Sequence, residues 1–220
     1  MKQSSLIEGV AAPLPLANLD TDQIMPKQFL RIIDKAGLDK GLLYDMRFDD
    51  AGQPRPDCVL NQPAYAGARI LVCGPNFGCG SSREHAVWGL QQYGIQAVIA
   101  ASYGEIFYSN AMNNQLLLIE LPPEDVSKIL HDVENTNTND VKIDLDSMTV
   151  HSHTHSAKFT LRELHRRMFL EGLDMIGATL TQKDLIQDFA TKHWKQHPWS
   201  KDVAAITRKR LDSVIKTASS

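Results

Sequence analysis

The chain has 220 residues, 43% of them hydrophobic, enough apolar material for one substantial core with at most a small appended lobe. A formal charge of -3 without any block of like charge excludes the basic field that drives nucleic-acid binding, and no apolar run approaches the roughly 20 residues that span a bilayer. The N-terminal stretch is broken by Glu8, Gly9 and two prolines, so no secretory leader is expected and the expected location is the cytoplasm.

In chain order, Ala68 to Gly74 (ARILVCG) reads as a buried strand, Gly74 to Gly80 as a Gly-, Pro- and Asn-rich loop, Arg83 to Tyr93 as a helix and Gln96 to Ser102 as a second buried strand. That is a βαβ unit. Glu105 to Asn113 continues it as a helix and Gln115 to Leu121 as a third strand, which predicts an α/β fold with a mostly parallel sheet. From Val141 to Phe159 the alternation around Asp146 and Ser147 predicts antiparallel strands forming a second small sheet. Leu161 to Leu170 reads as an amphipathic helix ended at Gly172, and Thr181 as the N-cap of a helix from Gln182 to about Trp194. The last twenty residues, with RKR at 208–210, read as a helix or a mobile tail without a role.

Cys58, Cys73 and Cys79 form no CxxC pair, which fits free thiols better than a disulfide framework or a zinc site. His151, His153 and His155 alternate and so would line one face of a strand, which reads as an exposed edge because no acidic or thiol ligand completes the set by spacing. Arg166 and Arg167 read as a solvated or partner-facing helix surface.

The chemistry is concentrated in Gly74 to Glu84, GPNFGCGSSRE, between a strand and a helix. Its glycines let a ligand approach the backbone, and the helix start offers free N–H groups to an anion. Ser81 and Glu84 have capping-box spacing, and on that spacing alone capping is the favoured reading of Ser81. The other reading joins two hydroxyls, Ser81 and Ser82, to the guanidinium of Arg83, a set suited to a carboxylate ligand. A hydrolase triad through His85 fits poorly, since a helical residue so close after the serine is badly placed and no GxSxG elbow is present. The loop also lacks G-x-G-x-x-G and a P-loop lysine.

The string GSSREHA, from Gly80 to Ala86, resembles the signature of the aconitase superfamily in its C-terminal swivelling domain. The resemblance extends to NLDTDQIMPKQFL (Asn18 to Leu30), to QAVIAASYGEIFYSNAMNNQLLLIEL (Gln96 to Leu121) and to GLDMIGATL (Gly172 to Leu180). Over roughly residues 6 to 194 it is similar to the free-standing small subunits of the isopropylmalate dehydratases. It implies a three-layer β/β/α swivelling domain over residues 1–199, followed by an extension over residues 200–220. It further implies a large partner subunit carrying a [4Fe–4S] cluster, with no cofactor on this chain, and a small dicarboxylate substrate. The implied reaction is dehydration of 2-isopropylmalate and rehydration to 3-isopropylmalate.

Carried over by residue, the resemblance makes Ser81 the base that removes the carbon proton, while Ser82 and Arg83 hold a substrate carboxylate. Asp22, otherwise a turn or N-cap aspartate, orients the site. Arg31 lies in the stretch Phe29 to Ile33 that selects the substrate side group. Ile33 stands where homoaconitase-like sequences have a second arginine, so an isopropyl group is favoured, with citramalate, methylmalate or homoaconitate-type substrates as alternatives. The competing class is a non-catalytic anion-binding module built on the same loop.

Overall fold

The computed structural model describes residues 5–31 and 36–218. Two compact units divide at Met175 and Ile176, ahead of the boundary near residue 199 expected above.

The first unit is built on one seven-stranded sheet of order β4-β3-β2-β1-β5-β6-β7. β1 (Leu6–Leu14) is central, with two short helices, α1 (Thr21–Ile24) and α2 (Tyr44–Arg47), after it. β2 (Ile70–Cys73), α3 (His85–Tyr93), β3 (Ala97–Ala100), α4 (Glu105–Asn113) and β4 (Leu117–Glu120) form the parallel half. β2 and β3 are buried along their whole length, as expected of strands covered on both faces. α5 (Pro123–Glu134) turns Val126, Ile129 and Val133 inward and packs across β1, β2 and β3.

β5 (Asp140–Asp144), β6 (Thr149–His151) and β7 (Ser156–Lys158) form the antiparallel half. They join the same sheet through β1: Leu6 to Val10 pair antiparallel with β5, whereas Ala11 to Leu14 pair parallel with β2. The small antiparallel sheet is thus continuous with the parallel one. The three histidines do not share one face of a strand, because the chain reverses between β6 and β7. His151 lies on β6 and His153 in the turn, while His155 Nε2 bonds to Asp125 Oδ1 of α5 at 2.8 Å. α6 (Glu163–Glu171) ends at Gly172 in the left-handed conformation, φ 65°, which favours glycine. Its Arg166 is tied back through Nε to the Leu145 carbonyl at 2.9 Å, and Arg167 pairs with Glu171 at 3.7 Å.

The second unit follows on from α7 (Met175–Leu180), which spans the boundary, with α8 (Lys183–Gln196) and α9 (Val203–Ala218). Thr181 does not cap α8: its hydroxyl donates to the Ala178 carbonyl at 2.7 Å, and Gln182 takes the N-cap position without a side-chain bond. The final segment is a helix.

Candidate active site

Three loops meet at the carboxyl ends of β1, β2 and β3, the end of a parallel sheet where ligands characteristically bind. The loop after β2 is clamped on both sides. Toward the β1 loop, Gly78 N–H donates to Leu19 O and Thr21 N–H to Cys79 O, each at 2.8 Å. Toward the β3 loop, Phe77 N–H donates to Ser102 O at 3.1 Å and Gly104 N–H to Phe77 O at 2.9 Å. Phe77 is wholly buried and meets Phe107 edge-on at 5.4 Å. Gly78 has a positive φ of 73° and a Cβ there would run into the Phe107 ring, so this position requires glycine twice over.

This clamp delivers Ser81 to Thr21. The Ser81 N–H donates to Thr21 Oγ1 at 2.9 Å, and the Thr21 hydroxyl donates to Ser81 Oγ at 3.0 Å. Thr21 is buried, 3% exposed. The capping-box reading of Ser81 is therefore incorrect: Glu84, not Ser81, stands at the N-cap of α3, and no side chain caps that end. Glu84 instead accepts from Asn114 Nδ2 at 3.2 Å, and Asn114 Oδ1 accepts from Trp88 Nε1 at 3.0 Å. The capping box lies at α1, where Asp20 and Gln23 satisfy each other's backbone N–H groups.

That assignment leaves Asp22 free for another task. Its Oδ1 accepts from Arg83 Nη1 at 2.8 Å, and its Oδ2 lies 3.6 Å from Lys27 Nζ. Both partners of the Arg83 pair are about two-fifths exposed, so the guanidinium is oriented yet open to a ligand. Ser82 is exposed and its carbonyl accepts from Asn110 Nδ2 of α4 at 3.0 Å. Sequence reasoning thus named Ser81, Ser82, Arg83 and Asp22, and the structure brings them together. Thr21, Lys27, Asn110 and Asn114 were missed, although Thr21 sits inside the DTD string. Arg31 closes the 3-10 turn Lys27–Arg31, but its side chain, Ile32 and Ile33 lie outside the described residues. His85 packs on Trp88 at 4.9 Å with Nδ1 buried and unbonded, and among the described residues it makes no bond to Ser81.

The three cysteines stand on separate segments: Cys73 is buried in β2, Cys58 precedes a 3-10 turn and Cys79 lies in the loop after β2. Among the described residues no group of three or more His, Cys, Asp or Glu is placed to hold a metal ion.

A mixed α/β domain that presents a Ser-Ser-Arg loop at the carboxyl ends of its parallel strands has the architecture of an aconitase-type domain. The family described as the aconitase C-terminal domain matches residues 1–124. The 3-isopropylmalate dehydratase small subunit 1 of Chromobacterium violaceum is 68% identical over 205 residues, covering 93% of this chain and 97% of that relative. The small subunit of Phenylobacterium zucineum is 45% identical over 200 residues, covering 90% and 98%. The crystal structure of 3-isopropylmalate dehydratase from Methanocaldococcus jannaschii superposes with a TM-score of 0.61 at 29% identity, covering 84% of this chain and 99% of that one. The chain belongs to the aconitase C-terminal domain family, in the branch of the 3-isopropylmalate dehydratase small subunits.

Proposed function

We propose that the chain is the small subunit of a two-chain hydro-lyase that isomerises 2-isopropylmalate to 3-isopropylmalate in leucine biosynthesis, in the cytoplasm. The observation that carries this reading is the bonded Ser81 beside the Arg83–Asp22 pair, on a chain closely related to named small subunits. Those names favour isopropylmalate over citramalate, methylmalate or homoaconitate-type substrates, and catalysis over a purely anion-binding role. We assign the [4Fe–4S] cluster to the large subunit, as the family resemblance implies.

The part of the chemistry that belongs to this chain is binding and proton transfer. Arg83, already aimed by Asp22, grips a substrate carboxylate with Ser82 beside it. Ser81 Oγ takes the proton from the substrate carbon and returns it on rehydration. A serine hydroxyl is far from ionised in neutral water, so its conjugate base needs hydrogen bonds and nearby positive charge. Closure of a partner over this exposed face would exclude water and strengthen both.

The test is anaerobic isomerase assay of the purified chain with and without its large subunit. Turnover is expected in the mixture alone, and Ser81→Ala is expected to lower kcat by about 10²- to 10⁴-fold while assembly is preserved. Turnover by the isolated chain, or an unimpaired Ser81→Ala complex, would overturn the reading.

A further inference from the structure

Resting on the reading of Ser81 as the base, we infer that Thr21 is a positioning residue that fixes the Ser81 rotamer and stabilises its deprotonated oxygen. Two bonds join one hydroxyl to one residue: Thr21 Oγ1 accepts the Ser81 N–H at 2.9 Å and gives its own proton to Ser81 Oγ at 3.0 Å. With its one proton committed to Ser81 Oγ, the Thr21 hydroxyl leaves the serine proton directed away from Thr21, toward the open face of the site. Loss of that proton costs no bond to Thr21 and turns the Thr21 bond into a charge-assisted one, which is about twice as strong as its neutral counterpart.

Thr21 is held independently of Ser81. Its N–H donates to Cys79 O at 2.8 Å, its carbonyl accepts from Met25 N–H at 2.9 Å, and the Asp20 capping box sets the start of α1. Gly80, at φ 104°, makes the turn into Ser81 in a backbone conformation that favours glycine. The donor is therefore preorganised, the condition under which a hydrogen bond to a developing oxyanion accelerates a reaction.

The charged and titratable groups on the elements around Ser81 are Asp20, Asp22 and Lys27 on the β1 side, Cys79, Arg83, Glu84, His85 and Tyr93 on its own loop and helix, and Tyr103, Glu105 and Tyr108 on the β3 loop and α4. Among the described residues none of these bonds to Ser81 Oγ. Asp20 is engaged with the Gln23 backbone, Asp22 with Arg83, and Glu84 with Asn114. A donor lost at Thr21 is thus not replaced by a neighbour, and the apparent pKa of the base should rise.

The experiment uses the chain reconstituted with its large subunit. Thr21→Val keeps the shape and removes the hydroxyl, and kcat is expected to fall about 10- to 100-fold with KM little changed. The acid limb of the kcat profile should move to higher pH, and Thr21→Ser should restore both rate and profile. Thr21→Ala, which leaves space for a water at the Ser81 N–H, serves if the valine variant does not assemble, with the same expectation. In a Ser81→Ala background the residual rate should be indifferent to Thr21→Val, because coupled residues do not add. An unchanged kcat, a loss that serine does not rescue, or a loss without movement of the pH profile would overturn the inference. If Ser81→Ala itself left turnover intact, the assignment of the base would fail instead.

Discussion

Arg83 and Asp22 are joined at 2.8 Å at a site where each remains about two-fifths exposed. A pair so wet contributes at most about 1 kcal/mol to stability, so its value lies in aiming the guanidinium rather than in holding the fold. Replacing Asp22 by Asn should raise KM for the dicarboxylate about tenfold in the assembled enzyme, since misplacing a carboxylate grip weakens productive binding. The same variant should unfold within about 1 kcal/mol of the parent chain. Steady-state kinetics beside urea titration separates the two, and an unchanged KM would mean that Arg83 is held by other means. Ser81, Ser82 and Arg83 were legible because they stand together in a short string, whereas Asp22, 61 positions from Arg83, was named only through the family resemblance of the DTD string. The Thr21 bonds to Ser81 were not, because they join positions 60 apart and periodicity carries no information about which loops meet. Capping spacing misled for the same reason: the Ser81 hydroxyl had a tertiary partner on offer, while Glu84 had Asn114.

At the scale of elements, the middle of the chain was readable and its two ends of sheet were less so. β2 and β3 are uniformly apolar and stood out. β1 did not, since Glu8, Gly9 and Pro13 interrupt it, yet it is the strand that joins both halves. Pro13 is tolerated because the Ala11 N–H points to the β5 side, donating to Asn139 O at 2.8 Å, and position 13 faces the same side beyond the last β5 pair at Val10, where no ladder bond is missed. α5 was also overlooked, though its Asp132 organises the β6–β7 turn by accepting from Ser152 Oγ at 2.6 Å, Thr154 N–H at 2.8 Å and Thr154 Oγ1 at 2.7 Å. Burial alone would raise the Asp132 pKa, but the bonds from Ser152 and Thr154, with the charge of His153, outweigh it and hold the carboxyl below its ordinary 3.8. A carboxylate depressed in the folded state stabilises the fold above its unfolded pKa and loses that contribution as pH falls through the lower folded value. Asp132→Asn should therefore cost about 1 to 3 kcal/mol near neutrality, and the gap to the parent chain should narrow once the pH drops below the ordinary carboxylate range. Denaturant titrations across that range check it, and a gap constant down to strongly acid pH would show that the carboxylate charge plays no part.

At the scale of the whole molecule, the assigned site residues run from Thr21 to Asn114, inside the first compact unit and inside the 1–124 segment that matches the family. Residues 200–220 bear α9, on which Val203, Ile206 and Leu211 are each more than half exposed. An apolar face left in water raises self-association more readily than it aids a reaction centred elsewhere. We propose that this extension is separable from catalysis. A chain ending at Ser200 should assemble with the large subunit and retain turnover within about twofold, as expected when a terminal segment supplies none of the site's backbone or side-chain bonds. Parallel assays of full-length and shortened complexes at equal occupancy decide the matter. A lower rate restored by excess large subunit would assign the extension to assembly. A lower rate at full occupancy would place it in the working geometry of the site, since occupancy and turnover respond to different contacts.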